Sequence, residues 1–259
     1  MLVRAVTGLA IAGGIALAAR GTRSLSVGGA VAALVTGTVC IAAGWPWGIV
    51  LIAFFVASSA LSRWRAGVKA ARTEGIVAKG GERDAVQVLA NGGVFAACAA
   101  LSLLVPWDGW LVLGAGAIAA ATADTWATEI GVLSTTMPRS ILNGRPVPPG
   151  TSGGITLLGT AASLAGAAFI AVLVWLVGWS GAAVAGALAG GIAGSAADSL
   201  LGASLQAHRW CPACSAATER EVHTCGTRTR AARGISWLDN DAVNALAGVA
   251  GALVAGIFA

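Results

Sequence analysis

The stretch ATADTWATEIGVLSTTMPRSILNGRPVPPGTSGG, residues 121–154, decides how the rest of the chain is read. It opens inside an apolar run yet carries Asp124, Thr125, Thr128 and Glu129 within six residues. A basic, proline-punctuated segment follows and closes on Gly150, Thr151, Ser152, Gly153 and Gly154. An ionised side chain near the centre of a bilayer costs at least about 2.5–3.5 kcal/mol, so an acid inside a membrane span points to a functional site. Two carboxylates beside a glycine-rich turn suit a metal-bound phosphate compound.

The flanking sequence makes the apolar run a membrane span. Of 259 residues, 57% are hydrophobic and 10% charged, against about 25% charged in soluble domains. Mean hydropathy is +0.81. The long Ala/Gly/Val/Leu runs lack the period of two expected of barrel strands. The fold class is therefore all-α: one polytopic bundle over residues 1–259 with about eight spans. We place them at 3–19, 25–43, 46–62, 84–105, 110–133, 154–177, 180–206 and 237–258. Arg20 and Arg23 follow the first apolar run instead of preceding it, so we read that run as a span and not as a signal peptide.

Charge alternates between the loops. Those at 20–24, 63–83, 134–153 and 207–236 hold fifteen of the sixteen Lys and Arg residues. By the positive-inside rule these four loops are cytoplasmic and both termini lie outside a cell membrane. Trp45, Trp47, Trp107, Trp110, Trp175 and Trp179 would form the outer aromatic belt, with Trp64, Trp210 and Trp237 at the inner one. The net charge of +5 then sets orientation, and nucleic acid is not expected as a partner.

Polar residues recur at helical spacing. Arg83, Gln87 and Asn91 are four apart and form a stripe that must face protein or a water-filled cavity. Arg65, Lys69 and Arg72 share one side of any helix there; a solvated basic face is the bland reading and phosphate binding the alternative. Gly116, Ala120, Asp124 and Thr128 form one row of the fifth span, and Gly186, Gly190, Gly194, Asp198 and Gly202 form one row of the seventh, with Ser195 and Ser199 beside it. Small-residue rows let helices meet at backbone distance, so each row would deliver its acid to a partner helix. Asp124 and Glu129 lie about 140° apart around an ideal helix and would line two facets of a cavity. Carboxylates presented this way suit Mg²⁺, which takes one or two of them plus substrate phosphates; an aspartate satisfied by its partner helix is the bland alternative. The 150–154 turn, read as running into a helix, would offer backbone N–H groups to phosphate. Asn240, Asp241 and Asn244 enter the last span. In the last basic loop, Cys211, Cys214, His223 and Cys225 could close a tetrahedral zinc site, remain metal-free, or form a disulfide.

The motifs ADTWATEIG, PPGTSGG, ADSLLGASLQ and WLDNDAVN, with QVLANG in the fourth span, resemble the integral-membrane family catalogued as domain of unknown function ninety-two, which includes transmembrane protein nineteen and the plant phytyl-phosphate kinases. The resemblance covers nearly the whole chain in order. It implies transfer of a γ-phosphoryl group from CTP or another nucleoside triphosphate to an isoprenyl monophosphate. In that reading Asp124 and Asp198, with Glu129, hold Mg²⁺ on the nucleotide. Asn91, Asn240, Asp241 and Asn244 complete the cavity with Thr128 and Ser199. The 150–154 turn cradles phosphates, and Arg83, Arg139 or Arg145 neutralises charge. The Cys/His cluster is not shared by the plant members, which implies an accessory structural role. A cytidylyltransferase making a CDP-lipid, a transporter with intramembrane aspartate relays, and a non-catalytic lipid-binding scaffold are the rival readings.

Overall fold

The structure is a computed structural model that describes residues 2–259. Its helices are α1 (Leu2–Gly21), α2 (Val27–Ala43), α3 (Trp45–Arg63), α4 (Ala66–Arg72), α5 (Ala85–Leu104), α6 (Gly109–Gly131), α7 (Leu157–Leu176), α8 (Gly181–Ser204) and α9 (Asn240–Ala255). All but the short α4 correspond to the eight expected spans. Seven are long and apolar enough to cross a membrane, α9 with its 3₁₀ extension to Phe258 among them; α2 is apolar but has 17 residues. The helix starts follow local chemistry. Ser26, Thr156, Ser180 and Asp239 each accept a backbone N–H of the first turn through the side chain. Asp84 and Gln87 form a reciprocal capping box at α5, satisfying donors that a helix start otherwise leaves orphaned.

Two predicted boundaries shift for a physical reason. Gly154 and Ile155 form strand β2, paired antiparallel with β1 (Arg139–Ser140). The 150–154 turn therefore closes a hairpin and does not open a helix; α7 starts at Leu157, and its first turn is already capped by Thr156 Oγ1, 2.9 Å from Gly159 N. Similarly, α9 begins at Asn240, so Trp237 and Leu238 precede the helix. The last basic loop carries β3 (His208–Cys211), β4 (Ala216–Thr218) and β5 (Arg230–Arg233), a small antiparallel sheet in the order β4-β3-β5.

Helix α6 is the axis of the bundle; an unbroken run from Gly114 to Ala123 is buried. The two small-residue rows do what their spacing predicts. A Cβ on Gly190 would lie 2.7 Å from Gly116 Cα and 2.4 Å from Gly251 O; one on Gly194 would lie 2.2 Å from Ala120 Cβ and 2.8 Å from Ala247 O. Three backbones, those of α6, α8 and α9, thus meet with no room for a side chain. On the other flank, a Cβ on Gly166 of α7 would reach Ala123 Cα at 3.0 Å.

At the end opposite the basic loops, the Trp47 ring centroid lies 4.9 Å from those of both Phe95 and Trp179. Trp47 and Trp179 are buried, which corrects their assignment to the outer belt. They plug the bundle, while Trp45, Trp107 and Trp175 remain exposed as a belt requires.

The packing sets a mutational expectation. Gly194→Val should destabilise the protein by about 1–3 kcal/mol or more, the cost of overpacking a tight core. Gly14→Ala, where a Cβ meets nothing within 4 Å, should be neutral or slightly stabilising, since alanine is the better helix former. Thermal unfolding of both variants in one detergent checks the contrast.

Candidate functional site: a carboxylate cluster beside an apolar cavity

The close approach of α6 and α8 brings their acids together. The Asp124 and Asp198 carboxyl groups lie within hydrogen-bonding reach of each other. Asp198 Oδ2 is buried without a hydrogen-bond partner among the described residues. Facing carboxylates repel unless a proton or cation lies between them. The donor set is hard oxygen with one unclaimed atom, which fits Mg²⁺.

A third acid, which the sequence reading did not single out, joins them. Glu219, one residue past β4, lies close enough to Asp198 to repel it and accepts a hydrogen bond from Ser152 Oγ. Burial raises the Glu219 pKa, while hydrogen bonds from Ser152 and Gln206 oppose that shift. Its one sequence signal is an acid between the two halves of the Cys/His set, and no spacing rule connects that position to α8. The 150–154 turn is part of this arrangement. Gly153, at φ +76°, packs so tightly on α8 that a Cβ would lie 2.3 Å from Ala203 Cβ and 2.6 Å from Ser199 O. Within the turn, Thr151 N and Gly154 N already donate to Pro148 O and Thr151 O, so only part of the expected phosphate nest is free.

Glu129 takes a different place. It accepts hydrogen bonds from Ser62 Oγ at 2.6 Å and from the Lys69 ammonium. Lys69 is buried and also donates to Leu61 O and Ser62 O, so the α4 row does not present a uniformly solvated basic face. Arg72 likewise turns to Val132 O and Ser134 O. The Arg83 guanidinium donates to Ser59 Oγ at 3.1 Å and Ser62 Oγ at 2.9 Å, and no carboxylate pairs with it directly among the described residues. Glu129 thus pairs directly with Lys69 alone and reaches Arg83 only through Ser62, which bonds both.

Arg83, Gln87 and Asn91 line one wall of a cavity of about 100 Å³, as their stripe predicts, together with Thr125. The remainder of its lining is mostly apolar, with Ile41, Leu51, Ile52, Phe54 and Phe55 among the residues. Asn91 Nδ2 donates to Gln87 O within its own helix.

The other expected residues are spread around this centre. Asp241 is buried and bonded to Lys79 Nζ at 2.5 Å; Lys79 also reaches Asp84 at 2.8 Å. Against partial desolvation, hydrogen bonds to the two aspartates push the Lys79 pKa up to about 12. Asp241 thereby ties the start of α9 to the start of α5. Asn240 and Thr128 are exposed, and Asn244 is half-buried. Arg139, in β1, and Arg145, on the loop that follows, are exposed, with Arg139 donating to Gly144 O at 2.8 Å. Cys211, Cys214, His223 and Cys225 come together in the last basic loop, and the three cysteines are free of disulfides.

Removing one member of a buried ion pair strands its partner at a cost of about 3–5 kcal/mol. Lys69→Ala should therefore lower stability near the bottom of that range, because Glu129 keeps 22% side-chain exposure. Lys69→Met combined with Glu129→Gln should recover part of the loss, measured by denaturant or thermal unfolding.

Comparison with known proteins agrees with the architecture. The model of the integral membrane protein DUF92 family matches residues 10–252. The Arabidopsis thaliana protein named Protein PGR is 29% identical over 250 residues, covering 86% of this chain and 84% of its own. An uncharacterized membrane protein of Methanocaldococcus jannaschii is 33% identical over 178 residues, covering 68% and 72% of the two chains. One from a Synechocystis strain is 30% identical over 184 residues, covering 69% and 70%. No solved structure matches. A family model that matches residues 10–252, nearly the whole chain, shows the membership: this chain belongs to the DUF92 family of integral membrane proteins.

Proposed function

We propose that the protein is a nucleotide-dependent kinase that converts an isoprenyl monophosphate to the diphosphate at the cytoplasmic membrane face. The observation that carries this reading is the double role of α6. Its Thr125 lines an apolar cavity that reaches Arg83, while the adjacent Asp124 meets Asp198 on another face. A prenyl chain needs the first and a nucleotide–metal complex needs the second. The excess cation at Arg83 and Lys69 favours an anionic head group, and the apolar lining favours a hydrocarbon tail.

In this reading Asp124 and Asp198 would hold Mg²⁺, and Glu219 adds a third carboxylate close to Asp198. The ion, when bound, draws negative charge from the nucleotide phosphates. Arg83 binds and orients the prenyl phosphate. Ser152 fixes the Glu219 carboxylate, and the 150–154 turn closes the cluster against α8. Arg139 and Arg145, both exposed, are assigned to the nucleotide phosphates in this reading. The Asp241–Lys79–Asp84 link acts through position, holding the capped start of α5 and so Arg83, its neighbour. A prenyl-phosphate oxygen forms a bond to the γ-phosphorus. The bond from that phosphorus to the β–γ bridging oxygen breaks, and the nucleoside diphosphate leaves with the electron pair. Such transfer is mostly positioning and electrostatic stabilisation, so no nucleophilic side chain is required.

The test uses protein purified in detergent, Mg²⁺, γ-labelled CTP or ATP, and geranylgeranyl or phytyl phosphate. Labelled prenyl diphosphate is expected from the native chain. Asp124→Asn and Asp198→Asn should each reduce the rate by about 10²–10³-fold, the scale of losing one electrostatic contact to a transition state. Arg83→Gln should raise the KM for prenyl phosphate about 10–100-fold, as loss of hydrogen bonds to a charged group predicts. Formation of CDP-lipid and pyrophosphate from CTP would replace the kinase by a cytidylyltransferase. No product with any nucleotide, or full activity in both aspartate variants, would end the catalytic reading.

A further inference from the structure

The last basic loop folds around four ligand-type atoms that the carboxylate site does not use. Cys211 ends β3 and Cys214 sits in the turn before β4, where Ser215 takes φ +51°. His223 and Cys225 occupy a second tight turn, closed by bonds from His223 N to Thr227 O and from Gly226 N to His223 O. Two turns thus face each other, each contributing two ligands. Their donor atoms all lie within 4.8 Å of one another. Cys211 Sγ is 3.6 Å from Cys225 Sγ, and His223 Nδ1 is 3.3 Å from the same sulfur. A tetrahedral zinc with bonds of about 2.3 Å to sulfur and 2.0–2.1 Å to nitrogen needs ligand–ligand edges of about 3.5–3.8 Å. The four atoms fit with only small inward or outward movement. Four protein ligands leave no open position, so the site is structural and not catalytic.

The placement of the loop gives that metal a consequence. Glu219 lies between the two ligand pairs, five residues after Cys214 and four before His223. Its backbone N donates to Ile76 O at 2.9 Å, and the preceding Thr218 Oγ1 points to the same oxygen at 3.4 Å. The imidazole of His223 lies against Gly75, where a Cβ would come within 3.1 Å of Nε2. The 73–77 segment in turn supports the 150–154 turn, since a Cβ on Gly150 would lie 2.8 Å from Thr73 Cγ2. A chain of contacts therefore runs from the four ligands through residues 73–77 to Ser152, which bonds Glu219.

We infer that Cys211, Cys214, His223 and Cys225 bind one zinc ion, and that this ion clips the loop so that Glu219 is held beside Asp198 and Ser152. Without it, the small β3–β4–β5 sheet has little core of its own, and both turns that flank Glu219 lose their common anchor. Metal binding supplies folding free energy wherever a site forms only in the folded state. The zinc part stands without the kinase reading, because its measurement does not involve turnover.

Metal analysis of the full chain, purified in detergent after expression with zinc, should find about one zinc per chain. Cobalt exchanged into the same protein should show the intense visible bands of tetrahedral thiolate coordination. Cys211→Ser and Cys225→Ser should each lose most of the zinc. Where a variant fails to fold, the native chain answers alone, through its zinc content and cobalt spectrum. Absence of stoichiometric zinc, another metal in its place, or unchanged zinc in the variants would overturn the site. Hydrogen exchange of the native chain before and after chelation tests the second half. Peptides covering 216–222 and 73–79 should exchange at least ~10-fold faster once zinc is removed, with α8 unchanged, as expected for a locally cooperative unit. Unchanged protection of 216–222, or loss of protection throughout α8 as well, would overturn the local role of the clip.

Discussion

The structure depends on how closely three backbones approach one another. Where α6, α8 and α9 cross, Gly116, Gly190, Gly194 and Gly251 leave no volume for a side chain. In a bilayer, helix association draws on van der Waals packing because lipid is as apolar as the side chains, so small residues at a crossing are a source of stability. The same contact has a chemical effect. Asp124 and Asp198 each lie one helical turn beyond a small residue of the crossing, Ala120 and Gly194, and short aspartate side chains meet only when the helices are this close. A larger residue at Gly194 would separate the carboxylates along with the helices.

Around this crossing the charged groups are arranged as three distinct clusters. Asp124, Asp198 and Glu219 form an acid cluster with an unclaimed oxygen. Glu129 serves Lys69 and Ser62 beside Arg83, leaving positive charge in excess. Asp241, Lys79 and Asp84 fasten α9 to α5. A buried charge is tolerated when paired or hydrogen-bonded, and the second and third clusters meet that condition internally. The first does not: Asp198 Oδ2 is buried without a hydrogen-bond partner among the described residues, and this asymmetry sets it apart from the two structural ion-pair clusters.

The sequence was most legible where physics acts along a single helix. Span number follows from hydropathy, and the partnering of the glycine rows follows from spacing by four. The stripe of Arg83, Gln87 and Asn91 follows from the same period and does line a cavity. It was less legible where a turn or a remote partner intervenes. The 150–154 glycines read as a helix-opening nest, yet Thr156 and strand β2 stand between them and α7. Trp47 and Trp179 read as belt residues, yet their rings pack against Phe95 in the interior. Glu129 and Asp241 read as site acids, but nothing local shows that each also pairs with a lysine, 60 and 162 residues away in sequence.

What the sequence alone determined is the membrane bundle, its eight helices and the small faces that bring Asp124 and Asp198 toward each other, because these follow from the bilayer's intolerance of unpaired backbone and from the helical period. Only the tertiary structure decided which acid each cation would claim, that Glu219 would join the aspartates, and that the four metal-type ligands would converge beside the 73–77 segment. Those outcomes depend on how loops return to helices far away in the chain. No local periodicity encodes them, since the pairing is set by which charges remain unsatisfied once the helices have packed.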